Sequence, residues 1–184
     1  VVLVGINFCC YGLDNGHSFV DPIALACRLG FDRVRIGSLE FDNISDAALS
    51  ELSKLENFCP QFHVSLQAGC DKTLKTMNRH YNTAEYKELC RKLRALFPDA
   101  VITTDIMVGF PGETEEDFME SLHFAKEIGF EKIHVFPYSA RPGTKAATME
   151  QVPKAVKTER VHRLMAVAEE MRKDFLKEQV GKEV

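Results

Sequence analysis

Four polar side chains stand at or near the ends of predicted strands, and their types suit a bound small molecule. They are Asn7, Glu40, Gln67 and Asp105. In parallel α/β folds, ligands bind at the carboxyl edge of the sheet, where side chains from several strands meet. Taken singly, each of these residues is more typical of a turn or a helix cap. Taken together they predict a polar-ligand site, because half-buried polar groups need partners.

The residue types also indicate which groups the ligand carries. An ionised Asp only accepts hydrogen bonds and a Gln both donates and accepts, so Asp105 and Gln67 suit a ribose diol. Glu40 suits an ammonium group, and Arg79 can bind a carboxylate through two parallel hydrogen bonds. Gly109, at the end of the fourth run, lets backbone groups approach a planar base. A ribose, a base, an amine and a carboxylate together make up S-adenosylmethionine, which is the ligand that this set permits.

Apolar runs rich in Val and Ile alternate with helical patterns along the chain. The runs predicted to be strands are VVLVGI (1–6), DRVRIGSL (32–39), FHVSL (62–66), AVITTDIMVGF (100–110) and EKIHVFPY (131–138). Helix starts are predicted at Asp21-Pro22, Ser45-Asp46, Asn82 with Glu85, and Thr114 with Asp117. Strands that alternate with helices over short connections predict a parallel sheet with right-handed crossovers. After Tyr138 a loop leads to one long amphipathic helix over about 153–179.

The bulk composition is that of an ordinary globular protein. The chain has 184 residues, 45% of them hydrophobic and 27% charged, which suits one domain with a sizeable core. The net charge of -4 gives no overall nucleic-acid signature. No apolar run approaches the roughly 20 residues that span a membrane, and the apolar N-terminus lacks the basic region of a secretory signal. No feature indicates an oligomeric state.

The cysteines are scattered through apolar segments. There are six, none in a C-x-x-C pair, which favours reduced thiols in a cytoplasmic chain over a disulfide framework. The chain starts directly on an apolar strand without an initiator Met, so we expect a fragment of a longer protein.

Three blocks of sequence resemble a known family. FHVSLQAGCDKTLKTMNRHYNTAEY, TTDIMVGFPGETEEDF and FPYSARPGTKAA look like the radical S-adenosylmethionine methylthiotransferases that modify tRNA, and the similarity runs along the whole chain. The QAGCD and RIGSLE segments most resemble the branch that acts on threonylcarbamoyladenosine beside the anticodon.

The resemblance implies a fold. It is an α/β fold, a partial (βα) TIM-like barrel of the radical SAM type, truncated at the N-terminus and followed by a long C-terminal helix. Residues 1–150 would hold the second to sixth strands of the family barrel. Residues 151–184 would form a helix that leads to a missing RNA-binding domain.

The resemblance also implies a chemistry. The family binds a 4Fe-4S cluster through a C-x-x-x-C-x-x-C loop and reduces S-adenosylmethionine to a 5′-deoxyadenosyl radical. It then adds a methylthio group to a modified adenosine of its tRNA substrate. This chain lacks that loop, and none of its cysteines has the spacing that a cluster requires. We therefore expect no metal ligand or catalytic residue here, and no activity from this piece alone.

Cofactor-binding positions follow from the resemblance, residue by residue. Those nearest the methionine part are Gly5, Asn7, Glu40 and Arg79, and those nearest the ribose are Gln67 and Asp105. Gly109 falls beside the adenine, and the last strand contacts the base through Phe136 and Tyr138. Ser65, at the end of the third strand, completes the expected site.

Two other readings remain open at this stage. A βα-barrel enzyme could bind a phosphorylated metabolite at Gly109–Gly112, although the acidic residues of 113–117 would repel a phosphate. A non-catalytic module could dock tRNA or protein through the basic residues of the last helix. These are Lys154, Lys157, Arg160, Arg163, Arg172, Lys173 and Lys177. Acidic residues are interleaved with them, which favours a solvated helix face.

Overall fold

The structure, a computed structural model, describes residues 1–182. The strands are β1 (Val2–Leu3), β2 (Arg35–Ile36), β3 (Ser38–Leu39), β4 (Gln61–Val64), β5 (Val101–Val108) and β6 (Lys132–Pro137). The helices are α1 (Val20–Arg28), α2 (Asp46–Leu52), α3 (Asp71–Thr76), α4 (Thr83–Leu96), α5 (Glu115–Ile128) and α6 (Lys154–Gln179). The predicted α/β class with parallel strands and a long C-terminal helix is confirmed. None of the described helices is long and apolar enough to cross a membrane.

The chain divides into two compact units. The first comprises residues 1–65 and 86–103, and the second comprises residues 66–85 and 104–184. The division predicted from sequence, at residue 150, concerns the parts of the family barrel and stays a prediction. Residues 183–184 of its second part lie outside the described residues.

The first unit holds the N-terminal strands in parallel pairs. Strand β1 pairs with β2, β3 with β4, and β4 with the first residues of β5. Their apolar side chains, together with those of the flanking helices, form a core. Its fully buried members include Ile23, Leu49, Leu52, Phe62, Tyr86 and Leu93.

The run predicted as one strand over 32–39 is two short strands separated by Gly37. The Gly37 N–H donates to the Leu3 carbonyl at 2.8 Å, and a Cβ on Gly37 would lie 3.2 Å from the Val4 side chain. A glycine inside a strand marks a close backbone approach or a bend, so the break follows from this residue. The two short strands nevertheless lie where the sequence predicts a strand, between α1 and α2.

The second unit is built around the last half of β5, with β6 as its hydrogen-bonded neighbour. Helix α5 begins as predicted, since the Thr114 hydroxyl accepts from the Asp117 N–H and the Asp117 carboxylate accepts from the Thr114 N–H. It ends at Gly129, which has φ 68°, a left-handed conformation that glycine adopts without steric cost. Asn82 and Glu85 make the predicted reciprocal bonds before α4.

Two helix predictions need correction. Helix α1 begins at Val20, whereas the sequence predicted Asp21 as its N-cap and Pro22 as its first residue. The Asp21 carboxylate instead accepts the Ser18 N–H at 2.9 Å from within the first turn. Helix α3 was not predicted, since its six residues are too few to show a 3.6-residue period.

Candidate cofactor site

The first unit carries four of the predicted site residues, each after a strand. Gly5 and Asn7 are exposed beyond the end of β1. Glu40 is half-buried after β3, and Ser65 is buried after β4. Since β3 and β4 are parallel neighbours, Glu40 and Ser65 follow the same edge of that pair.

In the second unit, Gln67 and Asp105 are brought together by backbone hydrogen bonds. The Gln67 N–H donates to the Asp105 carbonyl at 2.9 Å, and the Met107 N–H donates to the Gln67 carbonyl at 2.9 Å. Both side chains are half-buried; Gln67 follows the end of β4, and Asp105 lies within β5 rather than at its end. The two residues predicted to contact a ribose are thus adjacent.

Gln67 has an unusual backbone conformation. Its φ is 69°, in the left-handed region, which costs a residue other than glycine about 1–3 kcal/mol and is enriched at ligand sites. The hydrogen bonds to β5 hold it there. The strain marks Gln67 as a residue whose exact placement is imposed by its surroundings.

The loop that follows Gln67 is anchored on α5. The Gly69 N–H donates to the Ser121 hydroxyl at 3.1 Å, and a Cβ on Gly69 would lie 2.9 Å from the Ser121 Cα, so loop and helix are in direct backbone contact. Lys72 pairs with Asp117 at 2.7 Å. Burial opposes ionisation of Asp117, but Lys72 and the Thr114 cap outweigh it and lower the pKa of this carboxyl.

The backbone just after β5 is hydrogen-bonded to the carboxylate of Glu113, four residues further along the chain. Gly109 has φ 70° and donates its N–H to Glu113 Oε1 at 2.9 Å. The same oxygen accepts from Arg160 Nη1 at 2.6 Å, and the two side chains are 2% and 5% exposed. Burial raises the pKa of the Glu113 carboxyl, while the Gly109 N–H and Arg160 oppose that rise.

The space beside Gly109 is occupied by a side chain of α6. A Cβ on Gly109 would lie 2.5 Å from Lys157 Cγ, so the missing side chain makes room for the Lys157 stem. Contact between Gly109 and an adenine therefore stays a prediction. Such a contact would involve the Gly109 backbone, because the Lys157 stem fills the space on the side-chain side.

Tyr138, after β6, has its backbone groups engaged. Its N–H donates to the Val108 carbonyl at 2.9 Å, and its carbonyl accepts from Lys157 Nζ at 3.1 Å. Its ring meets that of Phe110 edge-on, with centroids 5.1 Å apart. A carbonyl has two lone pairs, so a base contact at Tyr138 would use the second. Phe136, within β6, is half-buried, and its contact to a base stays a prediction.

Arg79 lies just after α3. Its N–H donates to the Leu74 carbonyl at 3.0 Å, which fixes the backbone, and the residue is half-buried. The carboxylate contact expected of its guanidinium stays a prediction.

The thiols of this chain do not fit an iron–sulfur cluster. Cluster ligands are usually three or four suitably spaced cysteines, and no such spacing occurs in this chain. In the absence of a metal, burial raises the pKa of Cys9 to about 11 and that of Cys90 to about 12. Burial also raises the pKa of Cys27 and Cys70. No disulfide is formed within residues 1–182. The expectation that this chain supplies no cluster ligand rests on the spacing of its cysteines and stays a prediction.

The geometry argues against both alternative functions. A phosphate at the Gly109–Gly112 turn would need the Gly109 N–H, which already donates to Glu113. Most of the basic residues of α6 pair with acidic side chains, several of them at the exposed surface. The pairs include Arg163 with Glu115 and Glu159, Arg172 with Glu131, Lys173 with Glu169, and Lys177 with Asp174.

The expectation of a solvated helix face is wrong for one residue of α6. Arg160 is buried, and its pairing with Glu113 was not predicted because 47 positions separate the two residues. The sequence held one signal. Arg160 lies four residues after Val156 and four before Leu164, so it falls on the apolar stripe of α6. A charged residue on such a stripe calls for a buried partner.

Comparison with known proteins adds a family and a fold. Residues 16–125 match the model of the Radical SAM superfamily. A tRNA-2-methylthio-N(6)-dimethylallyladenosine synthase of Streptomyces coelicolor is 44% identical over 99% of this chain and 37% of its own length. The threonylcarbamoyladenosine tRNA methylthiotransferase MtaB of Bacillus subtilis is 41% identical over 95% of this chain and 40% of its own length.

A solved structure supports the fold alone. Coproporphyrinogen III oxidase (HemN) of Escherichia coli, described as a radical SAM enzyme, superposes with a TM-score of 0.67 at 16% identity. The match covers 83% of this chain and 37% of that protein. The chain thus spans about two fifths of the length of the relatives that it matches.

Proposed function

Because the chain belongs to the Radical SAM superfamily, we propose that the whole protein is a tRNA methylthiotransferase and that this chain supplies strand ends that bind S-adenosylmethionine. The observation that carries the proposal is the 44% identity to a tRNA-methylthiolating synthase over 99% of the chain. Such a substrate implies a cytoplasmic location.

The substrate class is a modified adenosine in tRNA. Relatives named for dimethylallyladenosine and for threonylcarbamoyladenosine match this chain with similar identity, 44% and 41%. The QAGCD and RIGSLE segments favour threonylcarbamoyladenosine, and we propose it as the substrate.

The chain's own residues would bind and orient the cofactor. The Asp105 carboxylate would accept hydrogen bonds from the ribose hydroxyls, and the Gln67 amide would donate to one and accept from the other. Their mutual position is set by the two backbone hydrogen bonds between Gln67 and β5. When bound, S-adenosylmethionine supplies the radical chemistry, with a 4Fe-4S cluster ligated outside this chain. A cofactor fixed in this way has little freedom to rotate, which is the main contribution that positioning makes to a reaction.

A binding measurement tests the cofactor assignment. Isothermal calorimetry of the whole protein with S-adenosylhomocysteine should show Asp105→Ala binding about 10-fold to 100-fold more weakly, since a hydrogen bond to a charged group contributes about 1.5–3 kcal/mol. Asp174→Ala is the matched control, because Asp174 forms an exposed ion pair on α6. Equal affinity of the Asp105 variant and the unaltered protein would remove Asp105 from the site.

A nucleoside analysis tests the reaction. Deletion of the gene should abolish one methylthiolated nucleoside in digested tRNA, and mass spectrometry distinguishes the threonylcarbamoyl from the dimethylallyl product. Restoration by the intact gene, and not by a gene with Asp105→Ala, would tie the product to this chain. A deletion strain whose tRNA keeps both nucleosides would refute the proposed function.

The location of the cluster can be tested separately. After anaerobic reconstitution with iron and sulfide, the 184-residue chain should show no 4Fe-4S absorbance band, because its cysteines lack the spacing of a cluster loop. A strong band on the isolated chain would show that its own cysteines ligate iron.

A further inference from the structure

Two cations of α6, one helical turn apart, reach the ends of β5 and β6. Lys157 and Arg160 are three residues apart and therefore project from the same side of the helix. The basic residues further along α6 pair with surface acids. These two instead contact backbone and side-chain groups at the strand ends.

Arg160 holds the turn that follows β5 from two directions. Its Nη1 donates to Glu113 Oε1 at 2.6 Å and to the Glu113 carbonyl at 3.2 Å. Its Nη2 lies 3.5 Å from Glu115 Oε2. Glu113 Oε1 also accepts the Gly109 N–H. One carboxylate therefore links Arg160 to the backbone immediately after β5.

The buried Arg160–Glu113 pair is not expected to contribute much to stability. Both side chains are almost fully buried, and the desolvation of a buried ion pair can exceed its Coulombic gain. Arg160 Nε is also buried without a hydrogen-bond partner among the described residues, which costs about 1–3 kcal/mol. What the pair does provide is a fixed geometry for the backbone between Gly109 and Glu113.

Lys157 fixes the neighbouring strand end. Its stem fills the space beside Gly109, and its ammonium donates to the Tyr138 carbonyl at 3.1 Å and lies 5.1 Å from the centre of the Tyr138 ring. One side chain therefore contacts both Gly109, after β5, and Tyr138, after β6.

We propose that Lys157 and Arg160 are positioning residues of the cofactor site, which makes α6 a working part of that site. They act through Gly109, Glu113 and Tyr138, and they need not touch the cofactor themselves. The inference rests on the proposed binding of S-adenosylmethionine at these strand ends.

The main test replaces the guanidinium by an ammonium. Arg160→Lys keeps the charge but loses the planar fork that reaches Glu113 and Glu115 together. In the whole protein we expect the KM for S-adenosylmethionine and the Kd for S-adenosylhomocysteine to rise about tenfold, with kcat changed less than twofold, since cofactor binding is impaired and not the reacting groups. Arg163→Lys is the matched control. Arg163 lies on the same helix and pairs with Glu115 and Glu159 at the surface, so its change should leave both constants unaltered.

A second variant provides a test for the case in which Arg160→Lys does not fold. Lys157→Met keeps an unbranched stem beside Gly109 and removes the ammonium with its hydrogen bond to Tyr138, and it should weaken S-adenosylhomocysteine binding several-fold in a protein that still folds. If Arg160→Lys does not fold, this variant decides the inference.

The outcomes separate the two proposals. Unaltered affinity in folded Arg160→Lys, or in Lys157→Met where the first does not fold, would overturn the positioning role and leave the proposed function intact. An equal loss in Arg163→Lys would show a general effect of replacing an arginine of α6 and would also overturn it. No binding of S-adenosylmethionine by the unaltered protein would overturn the proposed function, and the positioning role with it.

Discussion

Replacement of Gly69 by alanine tests how closely the loop after Gln67 is packed on α5. The added Cβ would lie 2.9 Å from the Ser121 Cα, 2.9 Å from the Ser121 carbonyl oxygen and 3.0 Å from Phe124 Cβ. Carbon atoms in favourable contact are about 3.5–4.0 Å apart. Two of the three atoms belong to the backbone of a helix, so no side-chain rotation relieves the overlap, and the loop must move away from α5.

The expected loss of stability is the sum of two effects. Overpacking of a buried position costs about 1–3 kcal/mol, and the displaced loop loses the buried hydrogen bond from Gly69 to Ser121, worth about 1 kcal/mol. The free energy of unfolding should therefore fall by about 2–4 kcal/mol. For a chain of this size, that lowers the melting temperature by roughly 4–16 °C.

Urea unfolding followed by far-ultraviolet circular dichroism measures the change. The control is Gly5→Ala, whose added methyl would meet its nearest atom at 3.4 Å, an ordinary contact, and which should change the free energy of unfolding by less than about 1 kcal/mol. If Gly69→Ala and Gly5→Ala proved equally stable, the close packing of the loop on α5 would be refuted.

Three further predictions concern α5 and the thiols. Thr114→Ala removes the hydrogen bond to the Asp117 N–H and should lower the free energy of unfolding by about 1 kcal/mol, whereas Thr114→Ser should restore it; identical urea midpoints for all three proteins would contradict the cap. Asp117 has a folded-state pKa below its ordinary value of 3.8, so its contribution to stability is present above that pH and is lost as pH falls through the folded pKa. Asp117→Asn should accordingly reduce the loss of stability on acidification from about pH 5 to about pH 3, and an unchanged pH dependence would exclude this role. Cys90, with a pKa of about 12, should react with iodoacetamide in the native chain more slowly than half-buried Cys10, as mass spectrometry of the labelled peptides would show; equal rates would mean that Cys90 is accessible.

Local signals in the sequence were sufficient to predict α5 and the strand before it. Thr114, Asp117 and Gly129 act within one or two turns of their own positions, so the start and end of this helix can be predicted without knowledge of the rest of the fold. The same holds for Asn82 and Glu85 before α4. Parallel pairing could be predicted because strand–helix alternation leaves few other topologies.

Long-range partners could not be predicted in the same way. Glu113 was assigned to an acidic segment and Arg160 to a basic helix face, and nothing local indicates that the two side chains meet in the interior. Gly109 was predicted to leave room for a ligand, whereas the structure fills that room with Lys157. Such contacts depend on how α6 crosses the strand ends, which residue spacing along a single helix does not determine.

The conformation of Gln67 has a consequence for the choice of residue at this position. A glycine would adopt φ 69° without steric strain, so stability alone favours glycine by about 1 kcal/mol or more. The chain carries a long amide side chain there and tolerates the loss. At residue 67, the side chain proposed for ligand binding is therefore not the one that would make the fold most stable. A selection for thermal stability alone should drift toward glycine at residue 67 and lose the amide that is proposed to bind the ribose.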